Sequence, residues 1–268
     1  MSRYFISADI EGTCGIADWE ETEHGGFGYD RFSAQMSREV GACCEGILRA
    51  DPAHQVLIRD AHDTARNLQA ELLPQEGDIR LFRGWGRDPY AMMSGLDSGF
   101  SGAMFTGYHS AVGWPGNPLS HTMNGRNFDI RLNGETMPEL MMNSLTAAMF
   151  GVPVLLVTGD EQLCRWFLDK VPAAQAVPVS SGVGKGSISL MPGEACRRIR
   201  EAAERAVQAG RECLYPRPET YSLEVTYGKH FDARSASWYP GTEQLNDRTV
   251  RYESRSWMDV LTFMHFCL

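Results

Sequence analysis

The chain has 268 residues, 43% of them hydrophobic and 22% charged, and carries a formal net charge of −9. It is long enough to bury a substantial core in one large domain, and its acidic surface argues against nonspecific binding to nucleic acid or anionic lipid. No apolar run approaches the ~18 residues a membrane helix needs, and the N-terminus shows no basic and apolar leader pattern.

The first predicted element is a strand that starts near Arg3 and ends in Asp9-Ile10-Glu11-Gly12. On an extended backbone Asp9 and Glu11 point to the same side. Carboxylates this close hinder each other's ionisation, and a cation between them removes the conflict. Residues 12–28 read as a polar, glycine-rich loop. Residues 30–50 then place Phe32, Met36, Val40, Cys43, Cys44, Ile47 and Leu48 on one helical stripe. Val56-Leu57-Ile58 predicts a buried strand that runs into Arg59-Asp60-Ala61-His62-Asp63. Asp78 to Phe82 is a third strand, and Ala103 to Thr106 a fourth that ends in Gly107-Tyr108-His109.

A loop of turn formers follows, from Gly113 to Pro118. Phe128 to Leu132, with Asn133-Gly134, predicts a hairpin strand and its turn. Residues 137–150 suit a helix with Pro138 in its first turn. Val152 to Val157 is the strongest strand pattern, followed by a helix near 161–170. Ser181-Gly182-Val183-Gly184-Lys185-Gly186-Ser187 is no phosphate loop, because Gly186 stands where Ser or Thr should follow the lysine. It reads as a mobile glycine loop and candidate lid, with Lys185 as a candidate substrate contact. An amphipathic helix over 193–209, strands near 221–227 and 248–253, and a helix from Ser256 to Cys267 complete the chain.

This alternation predicts an α/β protein, a three-layer domain with a mainly parallel sheet and a β-rich C-terminal extension. A single domain is expected over 1–268, with 215–255 as a sheet extension or small subdomain. The seven cysteines include no C-x-x-C pair. That usage suits reduced thiols in a cytosol, each acting as a small buried hydrophobe.

Three strands therefore end in metal-capable residues: Asp9 and Glu11, then His62, then His109. Equivalent ends of a parallel sheet share one edge of the fold, where ligands collect. Glu139 opens a helix, a position that favours a carboxylate by itself. Imidazole with carboxylate suits Zn²⁺, Mn²⁺, Co²⁺ or Fe²⁺. The set exceeds the three protein ligands of one catalytic zinc and suits two metals with a shared carboxylate and an attacking hydroxide between them. His121 is a candidate general acid/base or oxyanion stabiliser. His24, His54, His230 and His265 are assigned no role.

Ser7-Ala8-Asp9-Ile10-Glu11-Gly12, Asp60-Ala61-His62, Gly107-Tyr108-His109, Ser120-His121-Thr122-Met123 and Asn133-Gly134 through Glu139 to Asn143 occur in this order. Together with Pro240-Gly241-Thr242-Glu243 and Arg248-Thr249-Val250, they resemble the zinc-dependent D-aminopeptidase family of the dipeptide-transport-operon type. The resemblance spans nearly the whole chain. It implies two zinc ions per subunit, with Mn²⁺ or Co²⁺ as substitutes, and makes Asp9 the bridging carboxylate. Glu11, His62, His109 and Glu139 match the remaining ligands, and His121 the catalytic histidine. It further implies removal of N-terminal D-amino acids from short peptides by a cytoplasmic homo-oligomer, a decamer. Pro138 replaces the family's usual glycine, and the Trp114 loop and the segment after Ser180 also depart from the family pattern.

Two rival functions remain open at this point. Asp9-Ile10-Glu11-Gly12-Thr13 superficially matches the D-x-E-T of metal-dependent nucleases, although no later His-plus-Asp motif follows and the chain is acidic. A non-catalytic, metal-containing peptide-binding protein is the other.

Overall fold

Apolar runs that end in polar residues line up side by side in one sheet. The computed structural model describes residues 2–208 and 210–268. Its first half contains β1 (Arg3–Ala8), α1 (Tyr29–Ala50), β2 (Gln55–Asp60), β3 (Asp78–Phe82), β4 (Gly102–Tyr108), β5 (Asn127–Leu132) and β6 (Glu135–Thr136). α2 (Glu139–Met149), β7 (Val154–Asp160), α3 (Glu161–Lys170), β8 (Gln175–Val183), β9 (Gly186–Ser189) and α4 (Pro192–Ala206) follow. β10 (Tyr221–Tyr227), α5 (His230–Ala236), β11 (Thr242–Gln244), β12 (Thr249–Ser254) and α6 (Trp257–Cys267) complete the chain.

The main sheet has the order β3-β2-β1-β4-β7-β8-β9. All its pairings are parallel except β8 with β9. From β1 the chain builds outward through β2 and β3, then returns and builds the other way from β4. The order reverses between β1 and β4, which opens a crevice at their carboxyl ends.

Every residue of β4 and β7 is buried, as expected for strands covered on both faces. α1 and α4 pack on each other and against the sheet, α3 packs on β7 and β8, and α2 packs on β4. α1 supplies Met36, Val40, Cys43, Cys44 and Ile47 to the core, with full burial of each methionine, valine or isoleucine side chain worth about 1.5–3 kcal/mol.

The β-rich C-terminal part forms a separate antiparallel sheet, β11-β12-β10-β5-β6. It thus draws in residues 127–136 from the middle of the chain. Trp257 on α6 donates from Nε1 to Thr146 Oγ1 on α2 at 3.0 Å and ties this sheet to the main one. No helix among the described residues is long and apolar enough to cross a membrane.

Two expectations need correction. Residues 181–187 are not a mobile loop: they belong to the β8–β9 hairpin, paired from Ser180–Ser189 to Val183–Gly186. Pro138 lies just outside α2 with ψ of 157°, not in its first turn. This extended cap position suits proline, which has no N–H to leave unpaired. The helix expected over 193–209 is α4, and residue 209 lies outside the described residues.

The exits of β1 and β4 are pressed together. Asp9 N–H donates to Thr106 O at 2.9 Å, and Gly12 N–H donates to Gly107 O at 2.8 Å. A Cβ on Gly12 would land on the Tyr108 carbonyl oxygen. Gly12→Ala is therefore expected to destabilise the protein by about 3 kcal/mol, a Tm loss of roughly 6–12 °C by thermal melting.

Candidate metal centre

The crevice between β1 and β4 collects all six residues singled out in the sequence. Asp9 and Glu11 leave β1, His62 follows β2, His109 follows β4, and Glu139 opens α2. His121 arrives on the long connection between β4 and β5. Apart from His121, which is partly exposed, all are buried.

His62 Nδ1 lies 3.4 Å from Asp9 Oδ1 and 3.1 Å from Glu11 Oε2. His109 Nε2 lies 3.5 Å from Asp9 Oδ2 and 3.7 Å from Glu139 Oε1. His121 Nε2 lies 3.6 Å from Glu139 Oε1 and 3.8 Å from Glu11 Oε1. Ligands held 2.0–2.1 Å from a tetrahedral zinc stand ~3.3 Å from one another, close to these separations. Three sets can surround an ion: Asp9, Glu11 and His62; Asp9, His109 and Glu139; and Glu11, His109 and His121. The first two share Asp9.

Each histidine presents one nitrogen to the centre and uses the other on a backbone carbonyl. His62 Nε2 meets Thr22 O at 2.9 Å, His109 Nδ1 meets Ser110 O at 3.0 Å, and His121 Nδ1 meets Leu119 O at 2.9 Å. Donation to a carbonyl fixes the tautomer and leaves the inward nitrogen a lone pair, the usual arrangement behind a metal-binding imidazole. Asp9 Oδ2, Glu11 Oε2 and His109 Nε2 are buried and have no hydrogen-bond partner. Buried polar atoms without partners are costly, and a bound cation would satisfy all three. The residues present therefore fit a metal.

The electrostatics agree. Burial first, and then the charge of Glu11, push Asp9 up to about 8. Burial also disfavours the Glu11 carboxylate, but the His62 imidazole outweighs it and holds Glu11 well below its ordinary value. Burial opposes charge on both His62 and His109. Glu11 and Asp9 nevertheless hold His62 well above 6.5, and Glu139 with Glu11 lifts His109 to about 9. The carboxylates cannot all ionise without added positive charge beside them. His121 goes the other way: burial and then the charge of His109, whose ring stacks on it at 4.3 Å and 8°, lower it and favour the neutral imidazole.

The surrounding shell explains why these side chains hold still. Asp160, at the end of β7, accepts from Ser110 N and Ser110 Oγ, so it anchors the residue after His109. Asp60 accepts from Asn67 and Leu68, and Asn67 Nδ2 donates to His62 O at 2.7 Å. Glu139 Oε1 accepts from Met123 N–H at 2.6 Å, with Met123 in the left-handed region at φ 67°. Such strain at a non-glycine residue collects at functional sites. Asn117 of the Trp114 loop donates to Glu11 O at 3.0 Å. Glu39 on α1 accepts from Cys14 N–H at 3.0 Å and steadies the chain just after Glu11.

The centre opens into a cavity of about 670 Å³. Its walls include Trp19, His24, Trp85, Met92 and Met123, none assigned a role from sequence. Trp85 is fixed by donation to Asp63 O at 2.7 Å and by the buried Arg59 guanidinium 4.6 Å behind its ring. The only sequence signal for Trp19 was an aromatic residue in a polar loop close to Glu11. Lys185 does not line the cavity; its side chain is 90% exposed and faces Asp18 at 3.7 Å.

Comparisons with known proteins bear on the whole chain. The D-aminopeptidase family model, peptidase M55, matches residues 2–266. The D-aminopeptidase of Bacillus subtilis (strain 168) is 28% identical over 269 residues, covering 98% of this chain and 95% of its own. A solved structure, the Zn-dependent D-aminopeptidase DppA from Bacillus subtilis, a self-compartmentalizing protease, matches with a TM-score of 0.88 at 27% identity. It covers 98% of this chain and 95% of its own.

Glu39 gives a pH test of the supporting shell. Burial raises its carboxyl to about 7 against hydrogen bonds from Gln35 and Cys14. An acid raised in the folded state binds its proton more tightly folded than unfolded. Its ionisation therefore removes stability as pH climbs from about 4.5 to about 7, by up to about 3 kcal/mol. Glu39→Gln keeps the acceptor for Cys14 N–H and cannot ionise. Thermal melts of metal-loaded protein should show the variant more stable than wild type at pH 8, with the gap closing by pH 5.

Proposed function

The chain belongs to the D-aminopeptidase family, peptidase M55, and from that membership we propose a zinc-dependent aminopeptidase with two metal ions per subunit that removes N-terminal D-amino acids from short peptides or amino-acid amides. The observation that carries the metal assignment is the convergence of three carbonyl-locked imidazoles and three unpartnered buried atoms on one crevice. The related structure, named Zn-dependent, supports zinc, and the same donors are compatible with Mn²⁺ or Co²⁺.

Asp9 directs one oxygen toward His62 and the other toward His109, which suits it to bridge. Glu11 and His62 would complete one site, and His109 and Glu139 the other. Zinc bound there supplies Lewis acidity for the scissile carbonyl and makes a water acidic enough to attack near neutral pH.

This chain's residues do the remaining work. His121 Nε2 faces the cavity as a neutral acceptor, so it can take a proton from the attacking water and return it to the leaving amine. Its Nδ1 bond to Leu119 O holds the ring in that tautomer. Trp19 and Trp85 wall the cavity beside the centre. A volume of about 670 Å³ accommodates the end of a short peptide.

The self-compartmentalizing relative supports a homo-oligomer for this chain. The decamer and the cytoplasmic location follow from family resemblance. The nuclease and non-catalytic readings gain no support from the geometry or the comparisons.

A hydrolysis screen of matched D- and L-aminoacyl amides and dipeptides, with and without chelator, tests the reading. D-substrates should be cleaved and activity should vanish with the metal; full activity after complete metal removal would overturn it. Metal counts per subunit test the ligand roles. Asp9→Ala should deplete both sites, whereas Glu11→Ala should first deplete one, and equal losses would refute a bridging Asp9.

A further inference from the structure

The loop of residues 12–28 reaches over the centre and makes contacts on both sides. Inward, Thr22 O accepts from His62 Nε2. Trp19, in a single 3-10 turn capped by Asp18, sets its ring edge-on to His121 with centroids 5.0 Å apart. His121 therefore packs on both the parallel ring of His109 and the indole of Trp19.

Outward, the same loop rests on the β8–β9 hairpin. Cys14 Sγ donates to Leu190 O at 2.7 Å, Gly15 N–H to Ser189 Oγ at 3.0 Å, and Ser187 Oγ to Ile16 O at 2.8 Å. The hairpin also touches the Trp114 loop, where Gly182 N–H donates to Gly116 O at 2.7 Å. A Cβ at Gly182 would meet the Pro115 carbonyl oxygen. An isolated two-stranded hairpin is marginal in water. Here β8 is paired with the parallel strand β7 from Gln175 to Ser180, so the hairpin's base moves only with the core while residues 181–189 project beyond it toward the loop.

We propose that the β8–β9 hairpin is a strut that fixes Trp19 against His121, which makes Trp19 a positioning residue for the aminopeptidase reaction. The proposal rests on the role given to His121 above. One hydrogen bond at Nδ1 fixes the tautomer of His121 but leaves its ring free to tilt toward the open cavity. Trp19 occupies that space. Displacing a proton-transfer group by about 1 Å costs on the order of 10²-fold in rate.

The test uses full-length, zinc-loaded Trp19→Ala, Trp19→Phe and a Ser187→Ala/Ser189→Ala double variant. Readouts are kcat and KM for one D-aminoacyl amide, zinc per subunit, and the rate of carbethoxylation of His121 by diethyl pyrocarbonate, followed by mass spectrometry. Trp19→Ala should lower kcat by roughly 10- to 100-fold with zinc retained and KM changed by less than about threefold. It should also label His121 at least about tenfold faster. Trp19→Phe should recover most of the loss, and the double variant should move kcat and labelling the same way by smaller factors. Lys185→Ala, at an exposed pair, should change nothing.

A Trp19→Ala effect confined to KM, or equal losses in the alanine and phenylalanine variants, would overturn the positioning role. Wild-type labelling of His121 in the double variant would overturn the strut. If Trp19→Ala fails to fold, the other two variants decide. Wild-type protein inactive on every amide would defeat the reading of the site, while the labelling comparison would still report the placement of Trp19.

Discussion

Buried carboxylates that lack enough positive charge are the constraint around which this molecule is organised. Asp9, Glu11 and Glu139 are all shielded from water, where an ionised group pays a large desolvation penalty unless paired. Three imidazoles face them, and their outer nitrogens are committed to carbonyls of residues 22, 110 and 119. A centre of this composition is stable only with positive charge inside it. That requirement links the identity of the side chains to the rigidity of the loops behind them.

The fold makes the centre possible by placing strand ends together. Sheet order reverses between β1 and β4, which sets a crevice at their carboxyl ends. Glycine at 12 and 107 lets the exits approach within backbone hydrogen-bonding distance. Asp60 and Asp160, both at strand ends, then accept backbone N–H groups and shape the turns that carry His62 and His109. Carboxylates thus do two jobs along this edge, some shaping loops and others facing the cavity.

Much of this was legible in the sequence, and the gaps have physical causes. β3 and β10 match their expected ranges, and β1 lies where expected, because short apolar runs bounded by polar residues or glycine allow few alternatives. Asp9, Glu11, His62 and His109 were legible because each follows such a run, whereas Glu139 was read from a helix start and His121 from a loop. The β8–β9 hairpin was missed because Gly182, Gly184 and Gly186 weaken the strand signal; its order comes from its own antiparallel pairing and from contacts with distant loops, while β7 holds only its base. The cavity walls were missed for a related reason. Trp19 and His24 sit in a loop without periodicity, and their value depends on the neighbours that folding brings to them. β10 and β12 were found and β11 was not, and the pairing of β10 with β5 joins residues about ninety positions apart and leaves no local trace.

The spread of the centre along the chain bears on how the protein matures. Its six residues run from position 9 to position 139 and come from β1, β2, β4, α2 and the connection after β4. No short fragment contains a complete set, and contacts this distant in sequence form late and slowly. During synthesis, the chain cannot acquire full metal affinity until α2 has emerged and docked against β4. If these six residues hold metal as proposed, its capture would depend on completed long-range contacts and would be coupled to completion of the sheet's centre. An immature or locally unfolded chain would then be inactive, and hydrolytic capability would be confined to molecules that have finished folding.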